Sequence, residues 1–189
     1  MIDAVFTEYK RYLDTDLMFE YDVKPGVVLD GIKPLAWDAI RLVGRAIYRK
    51  TGLVPVLTDG KRDVSEQIAK MKKMKKEQPE LYKKVYAGII KSRQDISTAP
   101  HPSGRAGDWR FKGYEEAENL LIALNSFYIQ GIKAVLGYAP SPLIVPEKDE
   151  VIEDGITKHI PRCLHCQIPP NIPDEGKFKN YLIATFNRV

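Results

Sequence analysis

What the sequence lacks is the first guide to it. Two cysteines, Cys163 and Cys166, among 189 residues are too few for the disulfide framework of a small secreted domain, and in a reducing compartment both are expected as thiols. No apolar run approaches the ~20 residues that a membrane-spanning helix needs. The opening residues, Met1-Ile2-Asp3-Ala4-Val5-Phe6-Thr7-Glu8, do not place a basic stretch before an apolar one, so no secretory signal is expected. Internal repeats and low-complexity segments do not occur. Histidines are few, at 101, 159 and 165.

What is present is ordinary in bulk and uneven in detail. A chain that is 44% hydrophobic and 29% charged is expected to be globular, with one domain over 1–189 and its core over about 30–170. The net charge is only +4, yet residues 61–93 hold eleven Lys or Arg against four Asp or Glu, a surplus of 7 that leaves about −3 elsewhere. Such a basic face can meet an anionic polymer. The plainer reading is a solvated helix face, and nucleic acid is not the expected partner.

Periodicity and punctuation give a coarse outline. Asp3 caps an expected helix over 3–14, and Pro25-Gly26 turns the chain before Val27–Leu29. Pro34 opens a helix whose stripe is Ala36, Ile40, Val43 and Ile47 and which Gly52 ends. A strand over 53–58 comes next, then helices over 64–76 and 79–93 separated by Pro79. Beyond a strand at 106–112, an apolar helix over 114–130 is closed by Gly131, with a strand at 132–138. The proline- and acid-rich stretch 139–161 reads as a long surface excursion. The last strand is expected at 162–168, with a tail that wraps in extended form and adds a short strand at 181–184. The class expected is α+β: a small, mainly antiparallel sheet with helices packed against it.

The chemistry concentrates in 97–111, Ser-Thr-Ala-Pro-His-Pro-Ser-Gly-Arg-Ala-Gly-Asp-Trp-Arg-Phe. His101 and Asp108 are seven apart, so no single straight strand points both at one spot. A loop that turns near Gly104 and runs into a strand can do so, with glycine backbone close by. An imidazole and a carboxylate converging in this way suit two of the three protein ligands of a catalytic zinc. Asp108 has a plainer alternative, pairing with Arg105 or Arg110.

The pattern His101-x-x-Gly104-x-Ala106-x-Asp108 resembles the zinc signature of the D-Ala-D-Ala carboxypeptidase and L-alanyl-D-glutamate endopeptidase family, which is related in fold to the Hedgehog signalling domain and includes phage endolysins. The resemblance implies a late histidine as third ligand, matched by His165, with His159 as the rival. It also implies an arginine after an upstream strand, matched by Arg62, whose planar fork of donors would clamp a substrate carboxylate or carbonyl, although Arg62 can also be a charge at a helix start. On the same resemblance the expected cofactor is Zn2+, the expected substrate a peptidoglycan stem peptide, and the expected origin a phage. Without a signal, such a protein is expected in the host cytoplasm, reaching the wall after release or carried in a virion. Zinc with one open position lowers the pKa of bound water from 15.7 toward about 7 and polarises an amide carbonyl.

One departure stands out. The family places a carboxylate shortly before the third ligand as general base, whereas Lys158-His159-Ile160-Pro161-Arg162-Cys163-Leu164 contains none. Three substitutes are open: Glu153 or Asp154 folding back from the excursion, or His159. A fourth outcome is that hydrolysis has been lost and the chain is a non-enzymatic virion or tail protein with a degenerate site. Cys163-x-x-Cys166 runs into Gln167-Ile168-Pro169-Pro170 and reads as strand, which places Cys163, His165 and Gln167 on one face and Leu164, Cys166 and Ile168 on the other.

Overall fold

The structure, a computed structural model, describes residues 9–83, 86, 95–110, 114–138, 143–153 and 156–188; the side chains of 114–118, 148–153 and 156–162 lie outside that description. The class is α+β. Six strands form one mixed sheet: β1 (Lys10–Asp14), β2 (Phe19–Val23), β3 (Val56–Asp59), β4 (Ala106–Arg110), β5 (Ile144–Glu153) and β6 (Ile156–Gln167), in the order β1-β2-β3-β4-β6-β5. All pairings are antiparallel except β2 with β3. A parallel pair needs a crossover, and helix α1 (Pro34–Thr51) supplies it.

Helix α1 follows from its sequence. Pro34 occupies the first turn, and Gly52 ends the helix in the left-handed region at φ 67, its N–H donating to the Tyr48 carbonyl at 2.8 Å. Ala36, Ile40, Val43 and Ile47 are buried as the spacing predicts, and burying each of the larger three is worth about 1.5–3 kcal/mol. The helix lies on β4 so closely that a Cβ at Gly44 would come within 2.7 Å of the Trp109 ring. Trp109 Nε1 donates to the Ile40 carbonyl at 2.8 Å.

Several expectations are corrected. Residues 10–14 are strand rather than helix, because Tyr12 stacks on Tyr21 at 5.4 Å and Arg11 pairs with Glu20 and Asp22 across the hairpin; residues 1–8 lie outside the described residues. Gly131 does not end a helix, and no strand follows at 132–138. Helix α3 (Tyr114–Leu136) runs straight through, and Gly137, at φ 75, stops it. Gly131 serves packing: a Cβ there would meet Tyr181 Oη at 1.9 Å. By length and composition Asn119–Leu136 is apolar enough to cross a membrane, contrary to expectation, but Leu121, Leu124, Tyr128 and Ile132 are core residues.

The supposed excursion is an antiparallel hairpin in its described part, β5 with β6, and the tail ends in helix α4 (Glu175–Phe186) instead of a strand. Asp174 caps α4 by accepting from Lys177 N at 2.8 Å, and Phe178, Leu182 and Phe186 enter the core. Helix α2 (Val64–Glu77) begins at a capping box of Asp63 and Glu66. The expected helix over 79–93 is partly outside the described residues; 79–83 and 86 are helical.

Side chains of β4 and β6 sort by parity. Trp109, Leu164 and Cys166 face α1 and the main core, whereas Asp108, Cys163 and His165 face the other way. Helices α1, α3 and α4 thus cover one side of the sheet and leave the ends of β4 and β6 free to carry polar chemistry on the other.

Candidate metal centre

Loop and strand converge as the spacing predicts. Asp95 caps a short 3-10 turn (Ile96–Thr98), and the chain then turns at Gly104, whose φ is 69 and whose Cβ would lie 2.2 Å from the Gly31 carbonyl oxygen. Lys33 N donates to the Gly104 carbonyl at 2.8 Å, docking the loop on the start of α1. Arg105 staples it internally through Ser103 Oγ at 2.9 Å, the Thr98 carbonyl at 2.8 Å and the Ile168 carbonyl at 2.7 Å. That accounts for Arg105 without any pairing to Asp108.

Asp108 sits opposite His165 in the β4–β6 register, so the two share a face. His165 Nδ1 is 2.8 Å from Asp108 Oδ1, His101 Nε2 is 3.2 Å from the same oxygen, and the two imidazole nitrogens are 3.2 Å apart. Four-coordinate zinc, with bonds of about 2.0–2.1 Å, separates its ligand atoms by about 3.3 Å. The triangle therefore has nearly the size that one ion requires. The three residues form a group that can hold a metal ion, with His101 and Asp108 buried and His165 half-buried.

Outer contacts set the tautomers. His101 Nδ1 lies 2.5 Å from the Gly60 carbonyl oxygen and so donates to it, which aims Nε2 at the centre. His165 Nε2 faces Gln167 Oε1 at 3.3 Å, which leaves Nδ1 for the centre. The second oxygen of Asp108 is 3.5 Å from the Arg62 guanidinium. Burial alone would raise the Asp108 carboxyl, but the hydrogen bonds and charges of the two imidazoles win and hold it well below the usual carboxylate range. Burial alone would lower His165, and the bond to Asp108 reverses that and raises it.

Arg62 is at the site but not open to it. Its guanidinium is bonded to Asp59, donates to Gln67 Oε1 at 2.9 Å, and stands behind Asp108. A clamp on substrate would require it to release these partners. Gln67 in turn donates to Tyr86 Oη at 3.1 Å, tying α2 to the centre. Beside this network lies a cleft of about 300 Å³ whose lining includes Lys24, Lys61, Arg62 and Lys70 against Asp59 and Glu66.

The three substitutes for a base fare differently. His159 lies six residues along β6 from His165, about 20 Å at strand rise, and opposite Glu150. Glu153 is at the far end of β5, paired with Ile156. The side chains of both, and all of Asp154, lie outside the described residues. Sequence reading missed Asp59 and Gln67 as partners of Arg62, and it missed Glu147. That residue pairs with Cys163 across β5–β6, and Cys163 Sγ donates to its Oε2 at 3.3 Å. An acid two residues from the strand position opposite His165 was visible only once 144–153 was known to be a strand. Cys166, on the core face, is fully buried, and burial pushes its thiol well above the usual range.

Against protein-family models, curated proteins and solved structures, the chain finds no match.

Proposed function

We propose that the chain is a zinc-dependent peptidase acting on peptidoglycan stem peptides, of the kind found in phage endolysins, with a Hedgehog-like peptidase fold. The single observation that carries the metal is the triangle of His101 Nε2, Asp108 Oδ1 and His165 Nδ1. Two imidazoles and one carboxylate leave a fourth position open, which is the donor set of hydrolytic rather than structural zinc. When bound there, the ion acidifies a water molecule and polarises the scissile carbonyl.

The chain's own residues supply the rest. Gly60 and Gln167 fix the rings, Asp59 and Gln67 hold Arg62, and Arg62 holds the outer oxygen of Asp108. A cleft with a surplus of lysine and arginine suits a peptide that carries carboxylates, as stem peptides do. The peptidoglycan assignment rests on the His-x-x-Gly-x-Ala-x-Asp resemblance together with this cleft.

Metal analysis of the wild type against His101→Ala and His165→Ala, paired with peptide release from purified cell wall, is the test. One zinc per chain, lost in both variants together with release, is the expected result. Zinc without turnover, and presence of the chain in assembled phage particles, would instead favour the non-enzymatic virion protein.

A further inference from the structure

We infer that Glu147, from the neighbouring strand β5, is the general base of this centre, in place of a carboxylate preceding His165. The inference rests on the hydrolase reading above and adds a residue to it. Register puts it there: Val145 pairs with His165 and Glu147 with Cys163, so all four share one face of the sheet. Diagonal neighbours on such a face stand about 7–8 Å apart at Cα, within reach of a glutamate side chain. The bulge that follows, between Glu147 and Lys148, opposes these two residues to three on β6 and breaks the alternation immediately beyond the site. Pro146, which has no N–H to offer, stands just before Glu147 and suits the outer strand of the sheet.

Asp59, an acid beside the centre, is engaged on both oxygens. Asp59 Oδ2 is bonded to Arg62 and lies 3.6 Å from Lys70 Nζ. Its Oδ1 accepts from Gly60 N and is 4.0 Å from His101 Nδ1, the nitrogen turned away from the centre. Glu147 is half-buried and accepts from the Cys163 thiol at 3.3 Å. Its role is a proton transfer. The Glu147 carboxylate takes a proton from the attacking water as the O–H bond breaks and oxygen bonds to the carbonyl carbon. It then returns that proton to the amine nitrogen as the C–N bond breaks, so no electrons are exchanged with a further reagent.

The experiment compares wild type, Glu147→Gln and Glu147→Asp, each loaded with zinc. Readouts are metal content, kcat and KM for peptide release from purified cell wall, and calorimetric affinity for a small peptide hydroxamate. Glu147→Gln is expected to keep equimolar zinc and a KM within a few-fold while kcat falls about 10²–10⁴-fold. Hydroxamate affinity should fall about ten- to a hundredfold, as loss of a charged hydrogen-bond partner implies. Glu147→Asp keeps the charge and should fall in between, which also covers the case of a glutamine variant that does not fold. Wild-type kcat or unchanged hydroxamate affinity in Glu147→Gln overturns the assignment and leaves the peptidase reading standing. Loss of zinc from Glu147→Gln overturns it too, by making Glu147 a ligand. Zinc-loaded wild type that releases nothing overturns both.

Discussion

Asp108 and Trp109 are adjacent on β4, both nearly inaccessible, and they belong to two different kinds of interior. On the helix side the Trp109 ring meets Tyr21 edge-on at 5.8 Å, presses on Gly44 and sends its one polar atom to the Ile40 carbonyl. Across the sheet, Asp108 is surrounded by two imidazoles and a guanidinium whose orientations are each set by a further partner. The first interior is specified by volume and the second by donor direction. Dryness is common to both, so burial alone says little about which residues act. What separates them is whether each polar atom has a neighbour that fixes its geometry.

That separation can be broken from either side. The largest effect on stability is expected from Trp109→Ala, which empties a fully buried ring site and orphans the Ile40 contact. A loss of about 3–5 kcal/mol in urea unfolding is the expectation, with zinc still bound by whatever remains folded. His101→Ala should do the reverse. It removes a proposed ligand and leaves the Gly60 carbonyl without its donor, a cost of about 1–3 kcal/mol in the metal-free chain, while stoichiometric zinc is expected to be lost. Equal destabilisation by the two substitutions in the presence of chelator would erase the distinction between the faces.

The same contrast explains what the sequence disclosed. Helix α1 was legible because Pro34, Gly52 and a four-residue stripe all agree, and Gly104 was legible as a turn because its neighbours demanded one. His101 and Asp108 stood out as donor types at a suggestive spacing and His165 only through the family resemblance, and the fold brings the three together. The hairpin β5–β6 was not legible, since proline and acids at 146–154 mimic a loop when the pairing strand is out of view. Helix α3 was cut at Gly131 because a glycine that makes room for Tyr181 looks identical in sequence to one that ends a helix. Arg62 appeared as a free fork because Asp59 and Gln67, which occupy it, approach from β3 and α2. In each case the missing information is a tertiary neighbour.

A smaller change sharpens the comparison within the polar face. Gln167→Leu keeps the strand and the volume but takes away the acceptor facing His165 Nε2. The ring is then free to rotate or to adopt the other tautomer, and zinc affinity should fall about 10–100-fold with little change in unfolding. Competition with a chromophoric chelator measures it. Cys166→Ala, one residue away and pointing into the apolar interior, should leave zinc affinity unchanged.

The subtlest effect is a tilt of stability with pH that differs between metal-free and zinc-loaded protein. In the metal-free chain Asp108 lies below its unfolded value of about 3.9, so its contribution is complete above that pH and is lost as pH falls through the folded pKa. His165 lies above its unfolded value of about 6.5, so its contribution is complete below 6.5 and is lost as pH rises through the folded pKa. Metal-free stability should therefore be flat between about pH 4 and 6.5 and decline on both sides. Zinc needs His165 without its proton, so binding must release one wherever the imidazolium is populated. Raising the pH above 6.5 thus weakens the imidazolium–carboxylate pair and strengthens the metal site that replaces it. The gap between zinc-loaded and chelator-treated unfolding midpoints should widen steadily from pH 6 to 8. A gap that stays constant over that range would mean that His165 does not exchange its proton for the ion.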